Sequence, residues 1–140
     1  MFPDYSISTD RSKIDIDMVY HYLSEESYWA KNIPLERLKR SIENSVCFSL
    51  FYHDKQVGFA RVVTDKATYG YLADVFILKA YRGKGLGRLL MKTILAHEEF
   101  KGFRSWMLAT KDAHGLYEKF GFKLTNDTTR IMRKQGVEKY

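Results

Sequence analysis

The hexapeptide Arg82-Gly83-Lys84-Gly85-Leu86-Gly87 carries the strongest chemical signal in the 140-residue chain. It follows a nearly continuous apolar run, Tyr71 to Leu78, and leads into Leu86, Leu89, Leu90 and Ile94, which share one helical face. A turn from a buried strand into a helix is a place where backbone N–H groups converge on phosphate, assisted by the partial positive charge of the helix start. Glycine removes the Cβ atoms that would keep a diphosphate away from the main chain. Arg82, Lys84 and Arg88 add full charges. Two common phosphate loops are excluded. The G-x-x-x-x-G-K-[ST] spacing is missing, and Leu86 stands where a magnesium-binding hydroxyl is needed. The third glycine also comes one residue too early for the dinucleotide fingerprint, with no amino-terminal βαβ unit around it. A solvated basic turn without a ligand is the alternative.

Asp74 is the only charge inside the Tyr71–Leu78 run. A carboxylate there is costly unless it is partnered or functional. Strand alternation places Leu72, Asp74 and Phe76 on one face. Three roles stay open for Asp74: general base, anchor for a cationic substrate, or structural acceptor for an arginine such as Arg61. His114 can relay protons or contact substrate, or be an ordinary surface residue at a helix start. His21, His53 and His97 show no ligand spacing with Asp or Glu, so no metal is expected. The single cysteine, Cys47, lies in the apolar run Ser45 to Phe51 without an activating neighbour and reads as a buried, inert thiol.

The elements that must position these residues are legible in outline. Asp15 to Leu23 and Leu35 to Glu43 read as short helices, the second with Pro34 at its start and Leu35, Leu38 and Ile42 at helical spacing. Between them, Ser24 to Ile33 reads as a loop carrying Tyr28 and Trp29. Val46–Tyr52 and Gln56–Thr64 form a hairpin pattern around His53-Asp54-Lys55. Tyr71 to Leu78 fits a central strand covered on both faces. Beyond the glycines come a helix ending near His97, a strand at Ser105–Thr110 and a helix at Ala113–Phe120 closed by Gly121. Phe122–Leu124 and Thr129–Met132 read as two last short strands. This order predicts an α/β or α+β domain with a mixed sheet, spanning residues 1–140 as a single unit.

Composition narrows the class. A hydrophobic share of 45% and an aromatic share of 15% support a real core. The 23 Lys and Arg against 17 Asp and Glu give +6, which suits an anionic ligand or simply good solubility. The basic balance and ten tyrosines raise nucleic acid as a partner, but no basic helix or aromatic RNA-binding motif is present, so none is expected. One cysteine excludes an internal disulfide. No apolar run is long enough for a membrane span, and Met1 to Asp17, with four aspartates, is not a signal peptide. No membrane partner and a cytoplasmic location are the simplest expectations.

The glycine hexapeptide matches the R/Q-x-x-G-x-G/A motif of the GCN5-related N-acetyltransferase (GNAT) superfamily. Downstream, Leu116-Tyr117-Glu118-Lys119-Phe120-Gly121-Phe122 is similar to the family's L-Y-x-K-x-G-F signature. The resemblance covers residues 46 to 132 well and the first two helices loosely. It implies a mixed, mostly antiparallel sheet flanked by about four helices, with splayed central strands. The implied activity is acetyl-CoA-dependent transfer to a primary amine by direct attack in a ternary complex, the acceptor being a small molecule or peptide and the protein a monomer or homodimer. A non-catalytic sensory module binding CoA or another phosphorylated ligand is the alternative.

Residue by residue, the resemblance gives Phe76, Ile77 and Leu78 a main-chain role along the pantetheine. It gives the pyrophosphate to the amides of Gly83, Lys84, Gly85, Leu86 and Gly87, flanked by Arg82, Lys84 and Arg88. Tyr117 becomes the general acid for the departing thiolate, and Asp74 the first choice of base. Ala113, Leu116, Tyr117 and Phe120 share helical spacing, so a packing role for Tyr117 is the other possibility. Thr110 occupies the position where many members carry a pantetheine-binding asparagine. Tyr28 and Trp29, with Asp74 and His114, are the expected acceptor contacts. Glu25 and Glu26 lie close by in sequence, and aromatic faces with carboxylates suit a small cationic amine.

Overall fold

A computed structural model describes residues 2–127 and 129–140. Its centre is a five-stranded sheet in the order β1-β2-β3-β4-β5, formed by Tyr5–Ser8, Val46–Tyr52, Lys55–Thr64, Tyr69–Ile77 and Ser105–Leu108. The first four strands are antiparallel and β5 joins β4 in parallel, as a crossover through a helix requires. The β2–β3 hairpin closes through His53 and Asp54, with Tyr52 opposite Lys55 and His53 at φ 52°. β3 is the middle strand, and Val57, Phe59, Ala60 and Val62 are fully buried. The run expected at the centre, β4, is therefore one place off it, although both of its faces are covered.

Four helices pack on the sheet: α1 (Ile16–His21), α2 (Leu35–Glu43), α3 (Leu86–Leu95) and α4 (His114–Glu118). Val19, Leu38 and Ile42 from α1 and α2 cover one face together with Phe59 and Phe76. Leu90, Met91 and Ile94 from α3, with Tyr117 from α4, cover the other together with Ala60, Val62 and Leu72. α1 runs on into a π turn, Tyr22–Glu26, where the Ser24 and Ser27 hydroxyls donate to the carbonyls of Tyr20 and Leu23, both at 2.6 Å. Serine back-bonding and a widened turn deflect the chain there and aim the next loop over the end of the sheet. No helix among the described residues is long and apolar enough to cross a membrane.

Three expectations need correction. β1 is an additional strand that composition hides, because it has four residues, two of them serine, and exists by pairing with Ser49–Tyr52. Phe122–Leu124 and Thr129–Met132 form no strands; their stretch is irregular. There, Asp127 accepts from the Thr129 hydroxyl and from Arg130 Nε, both at 2.9 Å, so local side-chain bonds replace a ladder. Finally, Leu72, Asp74 and Phe76 do not share a face. β4 carries an extra residue opposite β3, between the pairs Arg61↔Ala73 and Phe59↔Phe76, and Asp74 sits there at φ 54°. Leu72 therefore faces α3, while Phe76 faces α1 and α2.

Candidate active site

β4 and β5 stay paired only from Tyr69↔Ser105 to Leu72↔Leu108. Beyond that point β4 continues to Ile77 without a neighbour on that edge among the described residues, and a cavity of about 640 Å³ opens between the two strands. Ala73, Asp74 and Val75 form one wall, Ala109 to Ala113 the other, and Tyr28, Trp29 and α2 the roof. A strand edge with unpaired N–H and C=O groups facing such a gap can take an extended ligand as though it were a further strand.

The bulge at Asp74 gives the cavity its polar anchor. Asp74 Oδ2 accepts from Arg61 Nε and Oδ1 from Trp29 Nε1, each at 2.8 Å. Arg61 also donates to Ser45 Oγ at 3.1 Å, so the charge pair sits in a hydrogen-bonded chain running back to α2. The Asp74 side chain is 9% exposed and that of Arg61 17%, so neither is an ordinary surface ion. Structural acceptor is thus one role that Asp74 fills. With two bonds accepted, its carboxylate still has lone pairs for a third donor from the cavity.

Tyr28 and Trp29 both line the cavity, in the loop where the sequence placed them. Tyr28 Oη accepts from the Lys111 amide at 2.9 Å, and the Lys111 ammonium lies 5.4 Å from its ring centre. Trp29 reaches across to Asp74, so this loop bridges both walls. Glu25 and Glu26 are not in the lining; they contact His21 at 3.2 and 3.5 Å. His114 is likewise absent from this lining. It faces a second cavity of about 570 Å³ on the far side of β5, with Trp106, Phe122 and Ile131.

Tyr117 lines both cavities and is 8% exposed. Burial, reinforced by the nearby Tyr28 and Asp112, pushes its phenol up to about 12, so it holds its proton at any ordinary pH. Thr110 also borders both cavities, and its hydroxyl accepts from the Ala113 amide at 3.0 Å to start α4. Its hydroxyl hydrogen remains available as a donor. Cys47 is buried, with its thiol pushed up to about 11, as an inert core residue should be.

Four residues separate the end of β4 from the glycine turn, which begins at Arg82. Gly83 and Gly85 have φ of 78° and 84°, values that side-chain-bearing residues rarely adopt. Gly85 occupies the N-cap of α3 and so provides no capping side chain for the first amides of the helix. A Cβ on Gly85 would point at Phe2 Cζ, 3.6 Å away, and Arg88 Nη2, 3.9 Å away. These features form a cradle that fits a diphosphate. Arg82 is partly committed elsewhere: Nε donates to Ile77 O and Nη2 to Tyr22 Oη, both at 2.9 Å. Tyr22 in turn stacks on Phe76 at 3.9 Å between ring centres. The carbonyl of Ile77, expected to serve a ligand, therefore already accepts one bond.

Sequence reasoning missed Arg37, Ser41 and Lys111 as cavity residues. Arg37 and Ser41 are four apart in α2, a spacing that puts them on one side of the helix. Only the fold tells which side faces the cleft.

A mixed sheet whose fourth and fifth strands part, followed by a glycine turn capping a helix, defines an acyltransferase architecture. Residues 16–122 match the model of the acetyltransferase (GNAT) family, and the chain belongs to that family. A Gibberella zeae protein, FG08082, described as a proposed acetyltransferase, is 31% identical over 138 residues, covering 83% of this chain and 77% of that one. The crystal structure of a Xanthomonas campestris pv. campestris protein assigned to the GNAT family is 42% identical, with a TM-score of 0.92 over 96% of this chain and 94% of that one. Glucosamine-6-phosphate N-acetyltransferase from Arabidopsis thaliana has the same fold, with a TM-score of 0.65 at 18% identity over 96% and 99% of the two chains.

Proposed function

We propose that this acetyltransferase moves an acetyl group from acetyl-CoA to a primary amine by direct attack, within a single domain that takes in the whole β1–β5 sheet. The observation carrying the proposal is the cleft between the parted strands, with a protonated Tyr117 at its side and the Asp74 carboxylate on its wall. When bound, acetyl-CoA supplies an activated acetyl thioester. The Gly83–Gly87 amides, Lys84 and Arg88 suit its pyrophosphate, and the free edge of β4 from Ala73 to Ile77 suits its pantetheine arm. Arg82 fixes the end of β4 through Ile77 and Tyr22, which keeps that edge in place.

The chain's own residues then divide the work. Asp74, held by Arg61 and Trp29, orients the acceptor amine through its remaining lone pairs. Tyr117, at the side of the cleft, would donate a hydrogen bond to the thioester sulfur and stabilise the charge that develops there, because its raised phenol keeps its proton. The irregular loop carrying Tyr28 and Trp29 lies over the cavity and limits water. Calorimetric binding of acetyl-CoA, followed by mass spectrometry of a mixed amine library incubated with protein and acetyl-CoA, tests the proposal. Tight CoA binding without an acetylated amine would instead favour a sensory module.

A further inference from the structure

The charged side chains of the cleft are the cations Arg37, Arg61 and Lys111 and the carboxylates Asp74 and Asp112, and Tyr140 also lines it. Arg61 and Asp74 neutralise each other at 2.8 Å, leaving Arg37 and Lys111 against Asp112. Lys111 and Asp112 are neighbours on the wall that continues from β5, the same wall that leads to Tyr117. Arg37 and Ser41 stand on the wall built by α2, towards Ser45 and the guanidinium end of Arg61. Arg37 is exposed to the cavity solvent, and α2 has Leu38 and Ile42 buried behind it as a rigid support.

We infer that the acceptor is an amine that also carries an anionic group, which Arg37 binds at the α2 end, while the amine lies beside Asp74 and Tyr117. The inference rests on the acetyltransferase reading and specifies its substrate class. A guanidinium matches a planar carboxylate with two parallel hydrogen bonds, which makes an aminocarboxylate the best fit and an aminophosphonate the second source of the same charge. A plain polyamine gains no such pairing. In the transfer itself, the nitrogen lone pair forms the bond to the acetyl carbon as the carbon–sulfur bond breaks. The departing thiolate accepts a hydrogen bond from Tyr117 and takes its proton from water, while the nitrogen loses its surplus proton to water at the cavity mouth.

The test compares the common L-amino acids and β-alanine with their carboxamides, and β-alanine with 2-aminoethylphosphonate, by thiol release and mass spectrometry. Accepted acids should exceed their amides in kcat/KM by at least about tenfold, the usual worth of a charge-assisted bond. Arg37→Gln should collapse that ratio by lowering the acid more than the amide, with the melting temperature as a control for folding. A phosphonate preference would keep the anionic site and change its natural occupant. Amides that equal the acids, a ratio that survives Arg37→Gln, or no acetylation of any acid would each overturn the inference. Acetyl-CoA binding and acetylation of other amines, measured on the same samples, show separately whether the acetyltransferase reading stands.

Discussion

Replacing Tyr117 by phenylalanine removes one hydroxyl and leaves the ring. That ring packs in the α3-side core, edge-on to Phe122 at 6.1 Å between centres, so the fold should survive. The size of the kinetic effect follows from its environment. Burial holds the phenol at about 12, whereas an ordinary alkyl thiol titrates near ~8.5. Complete proton transfer to the sulfur is then uphill by about 5 kcal/mol. Tyr117 therefore acts mainly as a hydrogen-bond donor to the developing thiolate, with water completing the protonation. A hydrogen bond to a charged group contributes roughly 1.5–3 kcal/mol, so kcat should fall by about 10- to 100-fold. This is the low end of what a positioned general acid gives.

The assay is steady-state release of CoA thiol, beside calorimetric binding of acetyl-CoA. The affinity should hardly change, because the lost interaction belongs to the transition state. A second signature is the pH profile. Since Tyr117 keeps its proton to about 12, it should impose no alkaline limb on kcat between pH 7 and 10, in parent or variant. A folded Tyr117→Phe enzyme within twofold of the parent would make Tyr117 a packing residue. A loss far beyond a thousandfold would mean that it does more than donate one hydrogen bond.

Asp74→Leu should destabilise the fold by about 3 kcal/mol, because it strands the Arg61 guanidinium in a part-buried site, and Arg61→Met in the same chain should recover most of that; thermal melts of the two singles and the double decide. Asp74→Asn should cut turnover with little change in CoA affinity, and a stable, fully active variant would remove it from the site. Gly85→Val forces a side chain into φ 84° at the start of α3, so CoA affinity should fall sharply, whereas higher salt should weaken parent binding only gradually. Burial raises both Cys47, to about 11, and Tyr117, to about 12. Their stability contribution is complete below their unfolded values and is lost as pH climbs from about 9 to 12. Melting temperature should drop across that window, less steeply in Tyr117→Phe; equal slopes would refute this.

What the sequence revealed and what it hid divide along a physical line. Features carried by local chemistry were legible: the glycine turn with its positive φ values, the β2–β3 hairpin, and α4 closed by Gly121, whose amide bonds Glu118 O at 3.2 Å. Placing Tyr28 and Trp29 in one loop was equally sound, since Pro34 and the serines break the helical pattern there. Features that depend on distant partners were not legible. β1 exists only because Tyr5–Ser8 finds the free edge of β2, and Arg37 becomes a cavity residue only because of how α2 rolls onto the sheet. The opposite error has the same cause: the apolar pattern of Phe122–Leu124 suits a strand, but no neighbour among the described residues pairs with it.

The extra residue at Asp74 connects these two kinds of feature. A regular β4 would put Leu72, Asp74 and Phe76 on one face, and Asp74 would share the side of Leu72, packed against α3. The bulge instead turns Leu72 to α3 and Phe76 to α1, so both remain buried while Asp74 faces Arg61, Trp29 and the cleft. It falls two residues past the last β4–β5 pair, at Leu72↔Leu108, just where the strands separate. A non-glycine residue at φ 54° costs of order 1 kcal/mol, and the two 2.8 Å bonds to Asp74 offset it. Asp74→Gly should therefore relieve the backbone strain but lose the anchor, destabilising less than Asp74→Leu while reducing turnover equally. If the glycine variant instead melts lower than the leucine variant, the φ at this position carries no strain, and the bulge owes its place to packing alone.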